Sequence, residues 1–494
     1  MAENMLIYNT LTRQKEVFKP INAPFVGMYV CGPTVYNDVH LGNCRTFISF
    51  DLIFRYLKHS GFKVRYVRNI TDAGHLEGDR DEGEDKFAKK AKLEQLEPME
   101  IVQKYTVGFH AVLQQFNCLP PSIEPTATGH ICEQIEMVKQ IIEKGFAYEV
   151  NGTVYFDVEK YTQSHNYGQL SNRNLDDLMA NTRELGGQDD KKGRLDFALW
   201  IKAKPEHLMR WPSPWGWGFP GWHIECSAMS TKYLGETFDI HGGGMDLIAT
   251  HHSNEVAQSQ ACNHTQPANY WMHTNMLTVN GARMSKSAGN GFLPGELFTG
   301  NHPLLVRGFS PMVVRFFMMQ THYRSTLDFS NEALVAAEKG FERLMSAIKR
   351  LQGIVPAGAS AADTGFSISQ FEKVCNEAMQ DDFNSPILIA QLFDGVRFIN
   401  AVADGKATVS AQEKDKLVEL YHQWVFDVLG LKAEQEASGA DDFGGHVMDA
   451  VVEIRKKVRE KKDFATSDLI RDELKKINII IKDTKDGAVW EHEK

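Results

Sequence analysis

Cysteine is scarce in this chain. Seven residues, an odd number scattered over 494, do not make a disulfide framework and fit reduced thiols or metal and substrate ligands instead. Long apolar runs are missing too: no stretch approaches the roughly 20 residues that span a bilayer, so neither a membrane helix nor a membrane partner is expected. The opening MAENMLIYNTLTRQK lacks the basic start and apolar centre of a secretory signal, which sets a cytoplasmic location as the expectation. There is no excess of positive charge. A net charge of −10 excludes a whole-surface nucleic-acid coat but leaves room for local basic patches, because phosphate binding needs only a few well-placed cations. What remains is ordinary globular composition, 43% hydrophobic and 24% charged, in a chain too long for one hydrophobic core.

Chemistry converges between Trp222 and Glu255, in WHIECSAMSTKYLGETFDIHGGGMDLIATHHSNE. His251 and Glu255 are spaced i, i+4, so on a helix over HHSNEVAQSQ both side chains leave one face. With Cys226 they offer donors for a borderline-soft cation such as zinc, which takes thiolate and imidazole ligands in tetrahedral array. Cys31, directly after the apolar run FVGMYV, is the candidate fourth ligand. A core cysteine beside a solvated His–Glu pair is the competing reading of the same residues.

FVGMYVC reads as a buried strand, GPTVYNDVHLGN as a loop, CRTFISFDLIFRYLKHSGF as a helix and KVRYVRNIT as a second strand. This βαβ unit predicts a parallel sheet with ligand at the carboxyl ends of its strands. His40, Gly42 and Asn43 fall at the helix N-terminus, where exposed N–H groups suit a phosphate. The stretch from Thr71 to Glu100 is dominated by charge and reads as loop plus exposed helix. AYEVNGTVYFDV is a hairpin turning at Asn151-Gly152, and the polar text after it reads as an insertion interrupting the sheet before the strand DFALWIKA. WPSPWGWGFPGWH reads as a rigid aromatic turn, with Trp222 placed in a pocket beside Cys226.

TFDIHGGGMD predicts a strand ending in a glycine-rich turn, with Gly242, Gly243, Gly244 and Asp246 at its end for a nucleoside. YWMHTNMLTV reads as one more strand. In the loop NGARMSKSAGN, Arg283 and Lys286 offer cations for a polyphosphate. Beyond Asn290 apolar stripes of helical period indicate a helical bundle. After the link AEQEASGADDFGG comes a piece in which Arg455, Lys456, Lys457, Arg459, Lys461 and Lys462 cluster, as a phosphate-binding patch or a solvated helix face.

Together these pieces resemble the class I aminoacyl-tRNA synthetases, and among them the cysteine–tRNA ligase family. VHLGN and RMSKS stand for the class motifs HIGH and KMSKS, and YVCGPTVY, RNITD, GWHIECSAM, FDIHGGGMDL, HHSNE and DDFNSP are similar to the cysteine-specific ones. Asn43 stands where the class has a second histidine and Arg283 where it has a lysine; TDAGHLEGDRDEG departs from the family's TDIDDK text. The resemblance implies an α/β fold: a Rossmann-type parallel-sheet catalytic domain over 1–290 with an insertion at about 115–195, a connecting helical region over 291–355, a helical bundle over 356–432, a linker over 433–445, and a small C-terminal α/β module over 446–494 that binds the anticodon.

It further implies zinc on Cys31, Cys226, His251 and Glu255, one ion per chain, and magnesium with ATP. Catalytic roles fall to His40, Asn43 and Lys286; ATP contacts to Thr34, His40, Gly42, Asn43, Gly243, Asp246, Arg283 and Lys286; cysteine contacts to Cys31, Thr71, Trp222, Cys226 and His251. The partners are then tRNA(Cys), ATP and L-cysteine, and the chain is expected to be a monomer. A ligase joining activated cysteine to an amino sugar, a zinc hydrolase and a noncatalytic RNA-binding descendant stand as alternatives. Cysteine-dependent pyrophosphate exchange separates the two ligases from the other two.

Overall fold

The computed structural model describes residues 4–73, 86–174, 177, 190–284, 289–356, 366–434, 441–461, 463–476, 479–484 and 487–492. These divide into two compact units, Met1–Lys432 and Ala433–Lys494. Lys286, Lys462, most of TDAGHLEGDRDEG and residues 435–440 of the predicted link lie outside the described residues.

The first unit is organised around a four-stranded parallel sheet. Its strand order is Ala268–Thr274, Phe238–Gly244, Phe25–Val30, Lys63–Arg68. Apolar residues on both faces explain the near-continuous hydrophobic text, since a parallel sheet is covered on both sides. The register sorts those faces. Met28, Ile240 and Tyr270 are neighbours, as are Tyr29, His241 and Trp271, and alternation then puts Cys31, Gly243 and His273 with the second set. Helix Leu41–His59 covers the first face and is buried nearly all round, from Leu41 to Leu57. Gly242 lies on that face, where a Cβ would come 2.1 Å from the Phe50 ring. Helices Trp222–Leu234 and Ser253–Asn263 cover the second.

The insertion is a five-stranded antiparallel sheet between the second and third parallel strands in sequence. It includes the hairpin Ala147–Val150/Thr153–Phe156, with Asn151 and Gly152 at φ 53° and 90°, as the type I′ turn requires. The Trp/Pro/Gly stretch departs from the expected rigid turn: Trp211–Ser213 and Gly216–Pro220 pair as a hairpin at the edge of this sheet. YWMHTNMLTV also departs, forming two strands, Ala268–Thr274 and Leu277–Val279. Asn275 breaks it by turning its side chain back onto the Met276 N–H at 2.8 Å. The charged stretch contains helix Lys86–Glu94, and the next helix, Pro98–Gln115, buries Ile101, Val102, Tyr105 and Phe109 just beyond it.

Helices Asn331–Gly353, Ile368–Gln380, Ser385–Ala403 and Ala411–Tyr421 form the bundle. Ser385–Ala403 is long and apolar enough, by length and composition, to cross a membrane, yet Leu388, Leu392, Val396 and Ile399 pack in the first unit's core. The second unit holds helices Asp441–Glu460 and Phe464–Lys475 and the hairpin Ile479–Thr484/Gly487–His492. Arg455 is not on an exposed face. It is buried with its Nε against the Ser467 carbonyl, so Lys456, Lys457 and Arg459 are the described exposed cations of that helix, with Lys461 exposed just past its end.

Candidate active site

Strand Phe25–Val30 delivers Cys31 to the carboxyl edge of the sheet, its N–H donating to the Gly242 carbonyl at 3.0 Å. Helix Trp222–Leu234 supplies Cys226. A π-helical turn over Ile248–His252 leads into helix Ser253–Asn263 and supplies His251 and Glu255; such turns often mark functional positions. The four donor atoms lie within 4.8 Å of one another and all are buried. Cys31 Sγ is 3.9 Å from Cys226 Sγ and 3.7 Å from Glu255 Oε1, and His251 Nε2 is 3.4 Å from Cys226 Sγ and 3.2 Å from Glu255 Oε1. With ordinary zinc–ligand bond lengths, a tetrahedron has edges of roughly 3.8 Å between two sulfurs and 3.4–3.6 Å for the mixed pairs. The observed separations are close to these edges, so the donor set fits a tetrahedral soft-metal site.

Around it stands a shell of imidazoles that the sequence reading did not single out. His223 Nδ1 lies 2.9 Å from His251 Nδ1, and His241 Nε2 lies 2.8 Å from Glu255 Oε2. His252 Nε2 is 3.3 Å from Cys31 Sγ, His252 Nδ1 meets His273 Nε2 at 2.8 Å, and His273 Nδ1 meets the Thr10 hydroxyl at 2.8 Å. His241, His252, Cys31 and Glu255 make a second, overlapping donor quartet. Partners of this kind fix ring orientation and tautomer around a metal. Burial pulls His252 well below the ordinary imidazole value and His273 to about 3, so both are neutral near pH 7. Burial also raises the Cys31 and Cys226 thiols. A metal would have to displace those protons.

A cavity of about 920 Å³ has walls that include Thr34, His40, Asn43, Trp222, Asp246 and Met284. Trp222 packs against His251 with its ring tilted at 44° and 4.5 Å between ring centroids, so it links the cavity wall to the thiol quartet. His40 is the N-cap of helix Leu41–His59. Its side chain accepts from the Asn43 N–H at 3.3 Å, and Asn43 Oδ1 accepts from the His40 N–H at 3.2 Å, a capping box. Because His40 Nδ1 accepts, the ring proton belongs on Nε2. Asn43 is therefore tied through its oxygen, which leaves its amide hydrogens to face outward. Gly42 lets the Met284 methyl approach, since a Cβ there would sit 3.1 Å from it; the two expected phosphate loops thus touch. Arg283 is exposed on the short strand Ala282–Arg283.

Gly242 and Gly243 lie within the strand, not in a turn beyond it. Their missing side chains make room for Phe50, and for His252 and Leu247. Thr71 is buried and joined to Asn69, whose Oδ1 lies 3.7 Å from Cys226 Sγ. It pairs with Thr34 through an isolated parallel bridge and donates its hydroxyl to Glu225 Oε2 at 2.9 Å.

The family description "tRNA synthetases class I (C) catalytic domain" matches residues 17–339, and "DALR domain" matches 375–434. Cysteine–tRNA ligase of Bacteroides fragilis is 57% identical over 99% of both chains, and that of Porphyromonas gingivalis 56% over 99% of both. The chain belongs to the cysteine–tRNA ligase family of class I synthetases. Members as distant as that of Chlorobaculum tepidum keep 46% identity over 99% of both chains. Outside the family, methionyl-tRNA synthetase of Mycobacterium tuberculosis in complex with methionyl-adenylate superposes with a TM-score of 0.53 at 14% identity, over 82% of this chain and 89% of that one. That likeness is one of fold. As a member of this family the chain is an enzyme, an aminoacyl-tRNA synthetase with the α/β class I architecture.

Proposed function

We propose that the chain ligates L-cysteine to tRNA(Cys) in two steps, with zinc selecting the substrate thiol. The observation that carries this reading is the buried quartet of Cys31, Cys226, His251 and Glu255, spaced for a tetrahedral ion, with His251 packed against Trp222 of the cavity wall. The full-length likeness to cysteine–tRNA ligases supports the substrates ATP, cysteine and tRNA. Those four side chains would hold zinc, which supplies a soft Lewis acid able to favour a bound thiolate over a hydroxyl or a methyl.

The chain's own residues do the rest. A cysteine carboxylate oxygen attacks the α-phosphorus of ATP, forming the mixed anhydride and breaking the bond to pyrophosphate, with magnesium accompanying the nucleotide. His40 Nε2–H, the Asn43 amide, Lys286 and the N-terminus of helix Leu41–His59 stabilise charge that spreads over the phosphates. Trp222, Thr34 and Asp246 line the cavity, Trp222 next to His251 for the thiol end and the other two for the nucleotide; the family likeness adds Gly243 and Arg283 to the nucleotide contacts. In the second step the terminal ribose hydroxyl of the tRNA attacks the carbonyl carbon and AMP leaves. Selection through a metal–sulfur bond exceeds the roughly 1–3 kcal/mol that a methyl-sized pocket gives, so no editing site is needed.

The test is ATP–pyrophosphate exchange with cysteine, serine or alanine. Exchange dependent on cysteine alone is expected, and exchange with serine at a comparable rate would overturn the thiol-selection role. Charging of tRNA(Cys) distinguishes this reading from ligation to an amino sugar.

A further inference from the structure

Behind the thiols runs a buried chain of hydrogen bonds that can be followed from donor to acceptor. The Gly32 N–H can only donate, and it donates to Asn69 Oδ1 at 2.9 Å. Asn69 must then present its amide hydrogens on the other side, where Nδ2 donates to Thr71 Oγ1 at 3.1 Å. With one lone pair occupied by Asn69, Thr71 sends its single proton to Glu225 Oε2 at 2.9 Å. The chain also touches the metal quartet, because Cys226 Sγ lies 3.7 Å from Asn69 Oδ1. Glu225 is completely buried one residue before Cys226, and its Oε1 has no hydrogen-bond partner among the described residues. Trp222, Glu225 and Cys226 leave one face of their helix, toward the cavity wall and the thiols. Asp72, the other carboxylate at this point, is already committed to the Thr128 N–H and hydroxyl.

Thr71 therefore has nothing left to donate and one lone pair left to accept. The α-ammonium of an amino acid whose sulfur sits at the Cys31–Cys226 quartet is a donor of the matching sign, only a short reach from that sulfur. We propose that Glu225 is a positioning residue for the substrate's amino group: by taking the Thr71 proton it turns Thr71 into a pure acceptor for the ammonium, with a carboxyl behind it. This rests on the cysteine-activating reading above. Without Glu225 the hydroxyl would swing its proton toward the ammonium and set donor against donor.

The experiment uses the full-length, zinc-loaded enzyme and its Glu225→Met and Glu225→Gln variants. Three quantities are read: KM and kcat for cysteine in pyrophosphate exchange, the inhibition constant of 3-mercaptopropionate, which has the thiol and carboxylate but no amine, and zinc content. Glu225→Met is expected to raise KM for cysteine about tenfold or more, as loss of a charge-assisted hydrogen bond does. Inhibition by 3-mercaptopropionate and zinc content should stay at the parent level. Glu225→Gln keeps an acceptor for Thr71 and should recover most of the loss. If Glu225→Met does not fold, Thr71→Val, which removes the acceptor itself, should show the same selective loss. Equal weakening of both compounds, loss of zinc, or an unchanged KM would overturn the assignment. Absence of cysteine-dependent exchange in the unaltered enzyme would instead overturn the ligase reading on which it stands.

Discussion

Two buried thiols within 3.9 Å of each other, hemmed by histidines, are costly to keep anionic without a cation and of little use when protonated. Cys226→Ser replaces a soft donor with a hard, poorly acidic one. The expected outcome is loss of zinc, or weakening on the order of tenfold to a hundredfold, by metal analysis after dialysis against a chelator; full retention of zinc with normal cysteine affinity would refute the metal role. Lys286 carries a different load. In the proposed reading its charge acts as the transition state forms, so Lys286→Ala should lower kcat of pyrophosphate exchange by at least about a hundredfold with little change in cysteine affinity; a parent rate would refute this. The i, i+4 spacing of His251 and Glu255 made their contact legible from sequence. His241, His252 and His273 were harder to read because each belongs to a strand or turn whose neighbours are set by register, not by spacing along the chain. The signal was nonetheless present in the alternation of FVGMYVC, FDIHGGG and YWMHT, which puts Tyr29, Cys31, His241, Trp271 and His273 on one face.

The helix Leu41–His59 has His40 at its tip, so whatever holds the helix also aims that imidazole. Asp51, mid-helix and 2% exposed, accepts from Arg55 Nε at 2.8 Å, from an Arg315 terminal nitrogen at 2.5 Å and from the Leu119 N–H at 2.7 Å. The two guanidiniums reach on to the carbonyls of Asn117, Asp427, Phe116 and Leu429, which ties the helix to the end of the bundle. Removing the one carboxylate strands two buried cations. Asp51→Ala is expected to cost about 3–5 kcal/mol in urea denaturation, and Asp51→Asn less, since it keeps an acceptor; a loss below about 1 kcal/mol would show that water and carbonyls suffice. Apolar periodicity identified this helix, but no pattern in the sequence revealed the pairing of Asp51 with Arg315, more than two hundred residues away. The same holds for the Trp211–Pro220 hairpin, where proline and glycine obscured a strand pairing fixed by the neighbouring strand Phe197–Lys202.

At the scale of the molecule, the thiol quartet and the cavity belong to the unit Met1–Lys432, while the exposed cations Lys456, Lys457, Arg459 and Lys461 belong to Ala433–Lys494. Each unit has contacts of its own, and composition placed the change of character near the acidic, glycine-rich link because such text cannot build a core. If the second unit reads the anticodon of tRNA(Cys), its chemistry is separable from adenylation. A chain ending at Lys432 should then exchange pyrophosphate at close to the parent rate, because every residue assigned to cysteine and ATP is retained. Charging should fall, mainly through weaker tRNA binding. Binding should also lose part of its salt dependence, since each phosphate contact removed shallows the slope of log K against log salt by roughly one unit or slightly less. Measured side by side, unchanged charging would refute the anticodon role, and loss of both activities would mean that the second unit supports the fold of the first.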